Sequence, residues 1–226
     1  MGMRWHDLLF MHWPVDASVL RPLVPQSLAI DTFEGQAWIA VVPFRMTAVR
    51  PRLVPSLPGV SAFLELNVRT YVTADDRPGV WFFSLDAASR AAVRAARWLF
   101  HLPYFDARMD LARQGERIEY KSVRTHAGAA PAVFRGGYQP VGPVKTSDPG
   151  TLEYWLTERY CMYAGHRNRV HRCEILHDPW PLQAAEAEVH ENTMTDWLGV
   201  RLPATQPLLH FSAFLDVVGW RPRQIR

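Results

Sequence analysis

The chain has 226 residues, 48% of them hydrophobic and 12% aromatic, which supplies a substantial core and excludes an intrinsically disordered protein. Its 25 basic and 22 acidic residues leave a formal charge of +3, too balanced for nucleic-acid binding by bulk electrostatics. With two cysteines there is no disulfide framework, and no apolar run reaches the length of a membrane span or a signal peptide, so the expectation is one cytoplasmic domain over 1–226.

In chain order, Trp5, His6, Asp7, His12 and Trp13 crowd the N-terminus; they either pack as a strand with their ring nitrogens bonded or line a pocket. Gln36 to Met46 is apolar on both faces and reads as a buried strand, with Pro43 marking an end or a bulge. Arg50 to Gly59 contains three prolines and reads as an irregular loop. Phe63 to Val72 alternates: Leu64, Leu66, Val68 and Val72 share one face, and Glu65, Asn67, Arg69 and Tyr71 share the other. Val80 to Asp86 is a further strand, after which Asp86 is expected to cap a helix reaching Phe100, with Arg90, Arg94 and Arg97 as a solvated stripe. Strands follow at Arg117 to Thr125 and Ala132 to Tyr138, where Gly136 and Gly137 suggest a bulge or turn rather than an anion-binding nest. Ser147, Asp148 and Pro149 announce a second helix over Thr151 to Ala164. Arg169 to Leu176 and Leu208 to Trp220 are strands, while Gln183 to Leu198 mixes strand alternation with a short capped helix. Seven to nine strands, two or three helices and few parallel units give an α+β class with a mainly antiparallel sheet.

The motifs of the common enzyme classes are missing: there is no GxSxG elbow, GxxxxGK[ST] phosphate loop, GxGxxG turn, HExxH or CxxC. Cys161, His166, His171, Cys173 and His177 are zinc-type ligands, but their spacing matches no standard site, and Arg167, Arg169 and Arg172 would repel the ion. The segment reads as an exposed basic hairpin; no metal and no cofactor are expected. The Glu65, Asn67, Arg69, Tyr71 face is solvated on an ordinary strand and becomes a polar cavity wall if the sheet closes on itself. Periodicity leaves both arrangements open.

The run DASVLRPLVPQSLAID at Asp16 to Asp31 resembles a stretch near the start of acetoacetate decarboxylases. The chain is more similar still to the YqjF-like uncharacterised family of bacterial type in that superfamily, through LLFMHWPV at Leu8 to Val15, ELNVRTYV at Glu65 to Val72, GVWFFSLDA at Gly79 to Ala87, LPYFDARM at Leu102 to Met109, LTERY at Leu156 to Tyr160 and HDPWPLQ at His177 to Gln183. The resemblance implies a closed, cone-like or barrel-like antiparallel sheet around a central cavity. The decarboxylases carry a Schiff-base lysine, beside a second lysine, directly after a proline. That proline corresponds here to Pro103, followed by Tyr104 and Phe105, so the nucleophile is absent; Lys121 and Lys145 lie elsewhere. The decarboxylase glutamate corresponds to Glu65, and the arginine that holds substrate carboxylate falls near His6, with Arg4 as the alternative.

The expected function is therefore binding of a carboxylate or carbonyl compound in that cavity. Glu65 and Tyr104 are the acid/base candidates, and His6, Asn67, Arg69, Tyr71 and Trp81 the ligand contacts. Any catalysis would be lyase-like acid/base chemistry without a Schiff base. The alternative is a non-catalytic protein whose cavity is filled by its own side chains. A small-molecule partner is expected, no nucleic acid and no membrane, with homo-oligomer formation left open.

Overall fold

The computed structural model describes residues 1–50, 61–166 and 169–225. Among the described residues thirteen strands form one sheet. They are β1 (Gly2–Val15), β2 (Ala29–Ile30), β3 (Ala37–Arg50), β4 (Phe63–Ala74), β5 (Arg77–Ala87), β6 (Tyr104–Gln114), β7 (Arg117–Arg124), β8 (Val133–Lys145), β9 (Cys161–His166), β10 (Arg169–His177), β11 (Leu182–Asn192), β12 (Leu208–Gly219) and β13 (Arg223–Gln224). Three α-helices among the described residues flank them: α1 (Ala17–Leu20), α2 (Arg90–Leu99) and α3 (Leu152–Thr157). The strands outnumber the seven to nine expected, because β2 and β13 are only two residues long, β1 and β6 carry too many polar residues to stand out as apolar runs, and β9 lies in the segment read as the second helix.

Neighbouring strands run β13-β10-β9-β5-β6-β7-β8-β11-β12-β1-β3-β4-β2, and the further pairings β10–β12 and β4–β5 close the sheet on itself. Seven strands, β4-β5-β9-β10-β12-β1-β3, make one ring, and β5-β6-β7-β8-β11-β12-β1-β3-β4 make a larger one that shares its wall. All pairings are antiparallel except β5 with β6 and β5 with β9. Gly79 makes the second of these parallel contacts possible, since a Cβ there would lie 2.6 Å from both the carbonyl oxygen and the Sγ of Cys161.

Where the second half of β1, β3 and β4 form the shared wall both of its faces are buried, which explains the doubly apolar composition of β3. Leu9, Met11, Ile39, Val41, Leu66, Val68 and Val72 face the larger ring and join Met109, Ile118, Phe134 and Tyr138 in the main core. Leu8, Phe10, Val42 and Phe44 face the smaller ring. Along β1 the two sets are brought into phase by a bulge: Asp7 takes a left-handed φ of 54°, and the register against β3 shifts between His6 and Met11. The left-handed residue is held in place, since Asp7 is buried, its carboxylate pairs with Arg113, and its backbone carbonyl accepts from the Tyr138 hydroxyl at 2.8 Å.

Several local expectations need correction. Asp86 does not cap α2: it is the penultimate residue of β5, a fully buried carboxylate gripped by Arg124 through two 2.7 Å bonds, and Ser89 caps the helix instead, accepting from Ala92 N. The second helix stops at Thr157, because residues 161–166 pair with both β5 and β10, and that tertiary pairing overrides helical spacing. Near Gly136 the extra residue of the bulge is His190 on the facing strand β11, while Gly137 leaves room for the Arg117 guanidinium. The ambiguous segment splits into β11 and a 3-10 turn over Asp196–Leu198. The proline-rich loop lies, beyond Arg50, outside the described residues.

Candidate functional site

The smaller ring encloses a cavity of about 330 Å³. Its wall is mostly apolar: Met3, Trp5 and Leu8 from β1, Val42, Phe44 and Met46 from β3, Val80, Phe82 and Leu85 from β5, and Met162, Ile175 and Trp180 beyond. One side is closed by α2. Its arginine stripe is on the exposed side, with Arg90 and Arg94 in solvent as expected and Arg97 instead donating to Tyr104 O at 2.6 Å, and the opposite face, Ala91, Ala92, Ala95, Ala96 and Leu99, lines the cavity.

Into this apolar space β4 directs its polar face, because the outward set Leu66, Val68 and Val72 is committed to the main core. Glu65, Asn67 and Arg69 line the cavity and are 2%, 5% and 8% exposed, so the solvated alternative for this face does not hold. Tyr104, the first residue of β6, also lines it, and its hydroxyl donates to Glu65 Oε2 at 2.8 Å. The Tyr120 hydroxyl lies 2.8 Å from the Glu65 carbonyl and fixes the backbone beneath it. Burial raises the Glu65 carboxyl to about 8, with a smaller push from the charge of Asp86 and a partial offset from the Tyr104 hydrogen bond. At neutral pH the side chain is therefore mostly protonated and can donate as well as accept. Burial, followed by the adjoining Glu65, moves the Tyr104 phenol well above its ordinary value, so it acts only as a neutral hydroxyl.

The other expected contacts are placed differently. The bulge at Asp7 keeps His6 on the opposite side of β1 from Trp5, and His6 bonds Thr47 Oγ1 at 2.7 Å and packs on Phe214. Tyr71 does not line the cavity; it is fully buried behind it, with its hydroxyl 2.7 Å from His12 Nε2. Trp81 packs across Gly165, on the outer side of the β5–β9 contact, because Val80 and Phe82 take the inward positions. Arg4 pairs with Asp216 in solvent. Neither lysine lines the cavity, and Lys145 pairs with Glu153. Of the zinc-type residues, Cys161 Sγ donates to Pro78 O, Cys173 Sγ to Trp220 O, and His177 Nδ1 lies 2.8 Å from Asp178 O. Among the described residues no group of three such ligands forms.

Sequence reasoning missed Arg159, Trp180 and the alanine face of α2 as wall residues. Arg159 and Trp180 sit in LTERY and HDPWPLQ, segments picked out by resemblance; Arg159 falls at helical spacing within the expected second helix, and HDPWPLQ carries no periodicity that would aim Trp180 inward. The alanines of α2 look like ordinary helix formers.

Comparison with known proteins follows the same lines. The family model described as "Uncharacterized conserved protein", DUF2071, matches residues 2–216. The chain is 49% identical to the uncharacterized protein YqjF of Bacillus subtilis over 224 residues, 99% of this chain and 92% of that one. Among solved structures, the enduracididine biosynthesis enzyme MppR is similar with a TM-score of 0.67 at 10% identity, over 99% of this chain and 88% of that one. The acetoacetate decarboxylase of Legionella pneumophila is similar with a TM-score of 0.64 at 11% identity, over 100% and 88% of the two chains. An acetoacetate decarboxylase-like enzyme from Sphingomonas wittichii gives 0.63 at 15%, over 100% and 93%. At these identities the likeness is one of fold. Fold, closed sheet and sequence agree, and the chain belongs to the uncharacterized DUF2071 family, YqjF-like proteins with an acetoacetate decarboxylase-like fold.

Proposed function

We propose that this protein binds a small carboxylate or carbonyl compound inside the smaller ring and that it does so without forming a Schiff base. The observation that carries this reading is the Glu65–Tyr104 pair, hydrogen-bonded at 2.8 Å at the wall of a largely apolar cavity of about 330 Å³. That volume is at the lower end of the range of small-molecule sites, roughly 300 to 1,000 Å³. A protonated Glu65 can donate to a ligand carbonyl or hydroxyl, and the Tyr104 hydroxyl both holds it and orients it. This supports general-acid chemistry at a carbonyl oxygen. With Tyr104 following Pro103 and both lysines away from the wall, no lysine side chain is placed to form an imine. The fold relative MppR has been solved with pyruvate, a small oxo acid, which is the chemical class proposed here.

Native mass spectrometry of freshly purified protein and calorimetric titration with pyruvate, acetoacetate and bulkier oxo acids test the reading. Saturable one-to-one binding that weakens in Glu65→Gln supports it. A protein that carries no small molecule and binds none of these acids refutes it and favours a structural role.

A further inference from the structure

Arg69 and Arg159 are two buried guanidinium groups, 8% and 5% exposed, and both line the cavity. Each lies against the ring of Tyr71, with its Cζ 5.9 Å (Arg69) or 5.0 Å (Arg159) from the ring centre, so they mark one region of the wall. Arg159 comes from the stretch after α3. Its Nε donates to Trp155 O and its Nη1 to Asp31 Oδ2, both at 2.6 Å, while its Nη2 is buried with no partner. Arg69 has no carboxylate partner among the described residues, its Nε is buried and unsatisfied, and it rests on the Phe10 ring at 5.1 Å. The nearby carboxylate Glu158 is used elsewhere, taking the Trp180 amide at 2.9 Å and the Tyr160 hydroxyl. His12, the other titratable ring at this place, is held neutral by burial and by the charge of Arg69.

Arg159 is paired directly with Asp31, which leaves Arg69 as a buried guanidinium without an ion-pair partner among the described residues. Such a charge is costly unless an anion meets it. The unsatisfied donors at Arg69 Nε and Arg159 Nη2 supply the hydrogen bonds that an anion would accept.

We infer that Arg69 and Arg159 together form the anion subsite of the cavity, and that its ligand is a monocarboxylate with an apolar body. The inference rests on the cavity being a ligand site and specifies which end of the ligand goes where. Arg69 lies four residues along β4 from Glu65, about 13 Å between Cα atoms at 3.3 Å per residue, with both side chains on the cavity face. The ligand carboxylate then sits at the arginines, a carbonyl or hydroxyl at Glu65 and Tyr104, and the apolar body against Val42, Phe44 and Phe82. Asn67, between the two poles with its Oδ1 buried and unpartnered, accepts from a hydroxyl or amine on that body.

The test compares charged and neutral probes of the same shape, hexanoate with hexanamide and octanoate with octanamide, by calorimetry on the intact protein. At least one carboxylate should bind roughly 10-fold or more tightly than its amide, as expected for charge-assisted hydrogen bonds. Arg69→Gln should weaken carboxylate binding ~10- to 100-fold and leave the amide within about 2-fold. Arg159→Gln should do the same, and Arg159→Lys, which keeps the charge facing Asp31, provides the comparison if the glutamine variant fails to fold. Glu65→Gln should preserve the preference for carboxylate over amide. Equal binding of acid and amide, or a preference that survives Arg69→Gln, overturns the anion subsite while leaving the cavity as a ligand site. No binding of either probe also overturns it, and the native mass spectrum then decides separately whether the cavity holds any ligand at all.

Discussion

Replacing Glu65 by glutamine removes one ionisable proton from the cavity wall while keeping shape and an acceptor for Tyr104. In the folded protein burial raises this carboxyl from its ordinary 4.5 to about 8. Because the folded state holds the proton more tightly than the unfolded chain, the stabilisation is full below about pH 4.5 and is lost progressively up to about pH 8. At about 1.4 kcal/mol per pH unit, that rise corresponds to a loss of nearly 5 kcal/mol as an upper bound, and relaxation or water entry reduces it to a few. Glutamine carries no such linkage. Wild type and Glu65→Gln should therefore be similarly stable near pH 5, and the variant should be more stable by about 2 to 5 kcal/mol at pH 9. His12 titrates in the opposite sense, losing stability as pH falls below its ordinary 6.5, but it does so in both proteins and cancels in the difference. Urea unfolding followed by tryptophan fluorescence at pH 5, 7 and 9 measures this directly. Two stability curves that stay parallel across that range would falsify the buried, protonated state of Glu65.

Other perturbations probe the wall and its closure. Asp86→Asn strands Arg124 between the rings of Phe105 and Trp197, at 4.3 and 5.1 Å, and should cost about 3 to 5 kcal/mol. The double variant Asp86→Asn with Arg124→Met should recover part of that loss in chemical denaturation, and additive losses would contradict the pairing. Gly79→Ala forces a Cβ to 2.6 Å from the Cys161 backbone, so it should push β9 from β5 and lower stability by about 1 to 3 kcal/mol. An unchanged melting temperature would show that the smaller ring is looser than described. Borohydride reduction with acetoacetate or pyruvate should leave no covalent adduct by intact mass, and a specific adduct on Lys121 or Lys145 would overturn the assignment of Tyr104 to the lysine position.

Elements whose signal is local were legible in the amino-acid order: the alternation of β4, the doubly apolar β3, the strands β7, β10 and β12, and the Arg/Ala helix α2 all follow from residue periodicity. The order also placed Glu65, Asn67 and Arg69 on one face, since side chains two apart on a strand must share it. Whether that face met water or a cavity depended on two pairings, β5 with β9 and β10 with β12, which join segments distant in sequence. Closure also settled His6 and Trp81, because a one-residue bulge at Asp7 and the inward turn of Val80 and Phe82 decide which neighbour points inward. Arg159 shows the same limit most clearly. It looks like a helix residue at regular spacing, yet it lies beyond the end of α3, and only the folded chain sets it against Tyr71 beside Arg69, a pairing 90 positions apart that no local pattern encodes.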